Sequence, residues 1–160
     1  MVKTDLNKNI FDVYGEYAIY HPDLIIVNRK VSNRIIGSIS KTVDYNIGKR
    51  IGKIVAEECK KLFEGDPLEA SFEIIEYSGW GQIKIDRSKN IARVYNSLVS
   101  KYYLKHEGTS KDTIDDIMGG IISAIFEEIE GEECKVTETK CIAKGHEYCE
   151  FTLSFGNLNE

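Results

Sequence analysis

Several features that mark whole classes of protein are missing from this sequence. No apolar run approaches the roughly 18–20 residues of a membrane-spanning helix, so we expect no membrane insertion. The 21 basic residues are scattered among 26 acidic ones, and the net charge of −5 argues against nucleic acid as a partner. The N-terminus lacks the apolar core of a signal peptide, so we expect a cytoplasmic protein.

The short motifs of the large enzyme classes are missing too. The chain has no nucleophile elbow, no P-loop and no dinucleotide-binding fingerprint. Gly79-Trp80-Gly81 lacks both the third glycine and the helix that such a fingerprint requires. These absences favour a binding protein over an enzyme, and we predict no catalytic residue.

The composition is that of one globular domain. With 42% apolar and 29% charged residues, a chain of 160 residues buries a core without the help of disulfides. Its four cysteines are unevenly placed, which in a reducing compartment is typical of free thiols or metal ligands. A break at His21-Pro22 divides an N-terminal segment, 1–22, from a small-molecule-binding domain that we place at 23–160.

Hydrophobic periodicity predicts an α+β domain in which an antiparallel sheet packs on several helices. Apolar residues recur at helical spacing in four segments, 32–40, 44–63, 68–77 and 112–130. Short apolar or alternating runs predict strands at 23–28, 82–86 and 91–97. The segment 10–18 fits either a strand or a helix, and the polar segment 102–111 is predicted as a loop.

Glycines inside two of these helices predict close contacts. Gly48 and Gly52 lie four residues apart, where they would let another backbone approach. Gly119 and Gly120 leave a low surface on the last helix, against which we expect a sheet or a ligand to lie.

The densest pattern lies near the C-terminus. Two β-rich runs, 135–139 and 151–155, flank a turn at 144–146 and predict a hairpin. Cys141 and Cys149 would face each other across it, with Cα atoms roughly 4.5–5.5 Å apart. Such a pair can share a metal ion, form a disulfide or stay as two buried thiols.

Glu138 offers a third metal ligand on the first strand of the hairpin. Residues three apart point to opposite faces of a flat strand, so Glu138 and Cys141 converge only if a bulge or bend lies between them. Zinc accepts both cysteine and carboxylate ligands, usually four in a tetrahedron. The spacing therefore makes zinc one of the possible occupants of the hairpin.

The residues of the hairpin and of the preceding helix form a recognisable order. A helix containing Gly120 is followed by Glu138-Thr-Lys-Cys141, by Gly145 and by Cys149-Glu-Phe151. This order resembles the 4-vinyl reductase domain family. Two upstream segments also look like parts of that family, 79–81 and 93–97. The resemblance covers about residues 23–155.

The resemblance implies a fold shared with the TRAPP vesicle-tethering subunits and with sensor domains that detect phenols and other aromatic molecules. In those sensors a zinc ion is held by one glutamate and three cysteines near the ligand pocket. The glutamate and the two cysteines of the hairpin match three of these ligands, and the fourth position falls at about Asp115. We therefore expect zinc, with Asp115 as the first candidate for the fourth ligand, followed by water, His106 or His146.

We predict a sensor or binding module for an apolar or aromatic small molecule, with zinc as a structural element. Trp80, Tyr95 and His106 are the predicted ligand contacts, and core packing is the alternative role for Trp80 and Tyr95. The family's name implies a second function, a reductase or an accessory factor in tetrapyrrole metabolism. The likeness to TRAPP subunits implies a third, an assembly subunit that forms a homodimer through its long helices, and a homodimer is compatible with a sensor.

Overall fold

A computed structural model describes residues 3–5, 10–13, 16–19, 31 and 34–156. The first three ranges are antiparallel strands of one sheet, namely β1 (Lys3–Asp5), β2 (Ile10–Val13) and β3 (Glu16–Ile19). The segment 10–18 is thus part of two strands. The strand predicted at 23–28 lies outside the described residues, and the domain boundary at residue 22 stays a prediction.

Residues 39–156 form four helices and a second sheet. The helices are α1 (Ile39–Leu62), α2 (Pro67–Tyr77), α3 (Leu98–Glu107) and α4 (Asp116–Glu130). The strands are β4 (Gln82–Asp86), β5 (Ile91–Tyr95), β6 (Glu133–Lys140) and β7 (Cys149–Gly156). They pair antiparallel in the order β4-β5-β7-β6. A helical layer on an antiparallel sheet confirms the predicted α+β class.

The hydrophobic core lies between α4 and the inner face of this sheet. Every residue of α4 from Ile117 to Phe126 is buried. Alternate residues of β5 and β7 face it, namely Ala92, Val94, Cys149, Phe151 and Leu153. Because each fully buried large apolar side chain contributes about 1.5–3 kcal/mol, α4 and its neighbours supply most of the stability of the domain.

Helices α1 and α4 touch through their backbones. A Cβ atom added to Gly48 would lie 2.0 Å from the carbonyl oxygen of Ile117, and one added to Gly120 would lie 2.0 Å from that of Tyr45. The close approach predicted at Gly48 and Gly52 is confirmed. The low surface at Gly120 is filled by α1, and the expectation of a sheet or a ligand there was wrong.

Helix α1 also corrects the predicted boundary between two helices in the segment 32–63. It runs without a break from Ile39, and Asp44, the predicted start of the second helix, is buried within it. The buried residues of α1 recur every three or four positions because they form the face turned to α4: Ser40, Asp44, Gly48, Gly52, Ala56 and Cys59. The break lies earlier, at Gly37, whose φ of +58° favours glycine.

Helix α3 occupies most of the segment that was predicted as a loop at 102–111, so that prediction was wrong. The Ser97 hydroxyl caps the helix by accepting a hydrogen bond from the N–H of Ser100 (3.3 Å), and Gly108 ends it at a φ of +77°. Val99 and Ser100 point into the protein, while the charged residues that suggested a loop lie on the exposed side.

The contact between α1 and α4 predicts opposite effects for two neighbouring glycines. Gly120→Ala should destabilise the protein by about 3 kcal/mol or more, because the new methyl group collides with backbone atoms that cannot move aside. At Gly119 the nearest atom is 3.5 Å away, in the Tyr45 ring, so Gly119→Ala should be neutral or stabilise by up to about 1 kcal/mol. Urea denaturation measures both free energies of unfolding, and equal effects would contradict the close contact.

Candidate metal centre

Strands β6 and β7 form the predicted hairpin. They pair from Glu133 opposite Gly156 to Lys140 opposite Glu150, and a short 3-10 helix (Ile142–Lys144) leads into the connection. Gly145 follows at a φ of +93°, a conformation that favours glycine. Cys141 and Cys149 come directly after the last pair, on the two sides of this connection.

A one-residue bulge interrupts the hairpin where the metal site requires it. Glu138 faces Phe151, but Lys140 faces Glu150, so Thr139 is an extra residue on β6. The Thr139 hydroxyl donates a hydrogen bond to the Glu150 carbonyl oxygen at 3.1 Å. Because the bulge changes the alternation of side chains, Glu138 and Cys141 turn to the same side, which confirms the predicted irregularity.

The hairpin brings together three potential metal ligands. A carboxylate oxygen of Glu138 and the sulfur atoms of Cys141 and Cys149 all lie within 4.8 Å of one another. Both cysteines are fully buried as free thiols. Oε1 of Glu138 is buried as well and has no hydrogen-bond partner among the described residues. A cation would give this oxygen the partner that a buried carboxylate needs.

Helix α3 adds a hydroxyl group that sequence reasoning missed. The Ser100 hydroxyl oxygen lies 3.3 Å from the Cys141 sulfur and 3.2 Å from the Cys149 sulfur, which donates a hydrogen bond to it. Cys149 also accepts a hydrogen bond from the N–H of Ile142 at 3.4 Å. Ser100 was overlooked because α3 was not predicted, although Ser97 and Gly108 are typical residues for the two ends of a helix.

Asp115 lies beside the three ligands but outside the set within 4.8 Å. Its N–H donates a hydrogen bond to Oε2 of Glu138 at 2.9 Å, and its buried carboxylate accepts one from the Ser97 hydroxyl. The bond to Glu138 explains why α4 begins at Asp116 and not at Asp112, as was predicted. The Glu138 side chain takes up an N–H at the start of the helix that would otherwise lack a partner within it.

The electrostatics of this group resist a build-up of negative charge. Burial, followed by the charges of Asp115 and Cys141, raises the pKa of Glu138 to about 10. The hydrogen bond to Cys141, followed by burial, raises the pKa of Cys149 well above its ordinary value. Hydrogen bonds, first from Cys149 and then from Ser100, lower the pKa of Cys141 to about 5 against the opposing effect of burial. One thiolate and two protonated acids therefore share the site in the absence of a cation.

The donor chemistry fits a divalent metal ion. Two sulfurs and a carboxylate oxygen are ligand types that such ions accept, and the metal takes the place of the protons that the isolated group would keep. In the described part of the chain, this is the one set of at least three His, Cys, Asp or Glu ligand atoms gathered so closely. Glu138, Cys141 and Cys149 thus form a possible metal-binding group.

The other predicted site residues lie on separate elements. Trp80 packs against the core in the turn between α2 and β4. Tyr95 ends β5 on the face of the sheet turned away from the helices, 5.4 Å from the Tyr148 ring. His106 stacks on Tyr102 at the exposed end of α3. The predicted roles of Trp80, Tyr95 and His106 in ligand binding stay predictions.

His146 also lies near the hairpin, through a contact with the backbone. Its Nδ1 atom is 3.1 Å from the carbonyl oxygen of Cys141. That contact holds the ring at the turn, beside the cysteines. His146 is not one of the three residues whose ligand atoms meet within 4.8 Å.

An open pocket of about 340 Å³ adjoins the metal-binding group. Its lining residues come from the start of α1, from α3 and from the segment before α4: Gly37, Ser38, Ser40, Lys41, Tyr103, Ser110, Asp112, Thr113 and Ile114. The N–H of Ser110 donates a hydrogen bond to the carbonyl oxygen of Ala143, beside the cysteines, at 2.7 Å. The segment 110–115 therefore borders the pocket on one side and the metal-binding group on the other.

Comparison with known proteins places this hairpin in a family. The family model of the 4-vinyl reductase domain matches residues 94–155. Two uncharacterized proteins of Methanocaldococcus jannaschii are similar in sequence: MJ0150 is 29% identical over 116 residues, and MJ1460 is 26% identical over 119. Each match covers 71% of this chain and 64% or 66% of the relative, so the chain spans a little under two thirds of each relative's length.

Two solved structures have a similar fold. The phenol-responsive sensory domain of the transcription activator PoxR, determined with phenol, has a TM-score of 0.75 at 15% identity, over 96% of this chain and 84% of that one. A vinyl-4-reductase family protein of M. jannaschii has a TM-score of 0.62 at 22% identity, over 90% and 86%. At these identities the likeness shows a shared fold.

The described helices were also compared with the dimensions of a bilayer. None of them combines the length and the apolar character that crossing a membrane requires. The match at residues 94–155, which contains the whole hairpin and α4, establishes that this chain carries a domain of the 4-vinyl reductase family.

Proposed function

We propose that the chain is a sensor or binding module for a small aromatic molecule, with a structural zinc ion beside the ligand pocket. One observation carries the proposal: the segment 110–115 borders both the pocket and the metal-binding group. A ligand in the pocket and a metal on the hairpin would therefore act on the same few residues. The fold that the chain shares with a phenol-responsive sensory domain supports this function.

Zinc suits the ligands that the hairpin offers. It prefers four ligands in a tetrahedron and accepts thiolates and carboxylates together. Glu138, Cys141 and Cys149 would supply three, and Asp115 is our candidate for the fourth, because its buried carboxylate lies next to them. With all four positions filled by protein the ion has no open site for a water, which favours a structural role.

The pocket suits an aromatic molecule that also carries a hydroxyl or carboxylate group. Tyr103 and Ile114 offer apolar contact, while Lys41 and the serine hydroxyls offer hydrogen bonds. Its volume lies at the lower end of the range for small-molecule sites. Trp80, Tyr95 and His106 do not line this pocket among the described residues, so a role for them would require a second contact region.

We also propose a cytoplasmic location. All four cysteines are buried free thiols, which is the state that a reducing compartment maintains.

The zinc proposal predicts the metal content of the purified protein. Protein prepared without chelator should hold about one zinc per chain, and Cys141→Ser or Glu138→Gln should remove most of it, because each substitution deletes a ligand. Cys134→Ser changes an equally buried thiol outside the group and should keep the zinc. Elemental analysis by mass spectrometry measures the content. A full-length protein that is stable and free of zinc, iron and other transition metals would rule the proposal out.

The ligand proposal predicts stabilisation by phenols or aromatic acids. Binding to the native state raises the melting temperature, by an amount that grows with ligand concentration. Thr113→Phe should abolish the effect by filling the pocket, whereas Thr109→Phe, at an exposed neighbour outside the lining, should preserve it. Differential scanning fluorimetry measures the shift. Equal responses of the two variants would count against this pocket, and reduction of a porphyrin by added nicotinamide would favour the reductase instead.

A further inference from the structure

The exposed large apolar side chains of this protein are concentrated in one region. The described residues include eleven of them, and nine lie between Val31 and Phe63, in α1 and just beside it. Ile39 is 63% exposed, Ile47 47% and Ile54 46%. Single exposed apolar residues are ordinary, but a contiguous group of this size is typical of an interaction surface.

Within α1 these side chains form a stripe on the side away from α4. We call the outer stripe the set Ile39, Val43, Ile47, Ile51 and Ile54, which recurs every three or four residues. Ile51 is partly buried and the other four are exposed. The opposite face of the same helix is closed against α4 by Gly48 and Gly52, so α1 is apolar on two sides.

The outer stripe is symmetric about its own middle. Counted from residue 45, Val43 mirrors Ile47 and Ile39 mirrors Ile51. Ile54 mirrors Ile36, which is also exposed, before the turn at Gly37. When two copies of a helix pair antiparallel about a two-fold axis, each residue meets its mirror position on the partner. Two copies of α1 placed about an axis near residue 45 would therefore meet apolar on apolar at every position of the stripe.

The area of the surface also fits a second copy. The nine exposed side chains are on average about half exposed, and together they approach the roughly 800 Å² that each partner buries in a standard stable interface. A pair of helices 24 residues long gives a contact up to about 36 Å in length. That length is enough to include the whole outer stripe.

The charges around the stripe favour protein over a lipid surface. Helices that lie on membranes carry unbalanced lysine and arginine along the apolar face. On α1 the lysines are paired with acids: Lys49 with Glu127 at 2.8 Å, Lys53 with Glu57 at 3.7 Å, Lys60 with Glu128 at 3.0 Å and Lys61 with Glu58 at 2.9 Å. The chain as a whole is acidic, so anionic lipid is a poor match.

We propose that the outer stripe of α1 is a homodimer interface, in which α1 packs antiparallel against α1 of a second copy about a two-fold axis near residue 45. The dimer requires neither zinc nor a ligand, so it stands or falls independently of the sensor function. Each protomer would contribute the same apolar side chains, and the start of α1, which lines the pocket through Ser40 and Lys41, would lie at the edge of the interface.

The mass of the full-length protein in solution tests the dimer. Size-exclusion chromatography with light scattering should give twice the chain mass of 18.2 kDa. The double substitution Val43→Glu with Ile47→Glu should weaken association by at least about 100-fold, because it places like charges opposite each other at the axis. Leu104→Glu changes an exposed apolar residue on α3 and should leave the dimer intact.

Chemical crosslinking tests the orientation of the two helices and does not depend on the double variant being folded. In Ile47→Cys the two introduced thiols would lie close to the axis, and a short bis-maleimide should join them. Thr152→Cys, exposed on the outer face of the sheet, should not crosslink, and the native cysteines are buried. A monomer at every concentration overturns the proposal and leaves the stripe to the first 30 residues of the chain or to a lipid. A dimer that survives both glutamates, or equal crosslinking at the two positions, overturns it as well.

Discussion

The candidate site depends on one extra residue in a β-strand. Thr139 shifts the register between β6 and β7 by one position, and this shift turns Glu138 and Cys141 to the same side of the hairpin. Glu138 then reaches the N–H of Asp115, which sets the first residue of α4. The metal-binding group, the start of the central helix and one wall of the pocket all follow from a local irregularity that the Thr139 hydroxyl helps to hold.

Electrostatics decide what such a group can contain. At about 4 Å and an effective dielectric near 20, two like charges repel each other by roughly 4 kcal/mol. Glu138, Cys141 and Cys149 lie closer to one another than a buried site tolerates for three negative charges. They must therefore keep protons or share a cation, and Oε1 of Glu138 favours the cation because no described residue satisfies it. The fully buried Ser100 hydroxyl between the sulfurs keeps them in place in either state.

The accuracy of prediction differed between elements for physical reasons. The hairpin, α2 and the bulge could be predicted, because alternation, the Asp66-Pro67 helix start and the parity of Glu138 and Cys141 are local properties of the sequence. Helix α3 was missed because its inward residues are few and its charged side gives no strong period. The start of α4 was misplaced because it is set by a side chain 23 residues away, which no local pattern can reveal. The family motif supplied the metal ligands, but it could not show that Tyr95 lies on the outer face of the sheet.

The glycine contact between α1 and α4 has a mechanical consequence. Where two helices touch through backbone atoms, there are no side-chain rotamers to absorb a displacement, so one helix cannot shift without carrying the other. A change of a few tenths of an ångström at Asp116 would pass into α1 as a movement of the whole rod. Helices α1 and α4 thus behave as one stiff lever, with its short arm at the cysteines and its long arm on the opposite surface of the molecule.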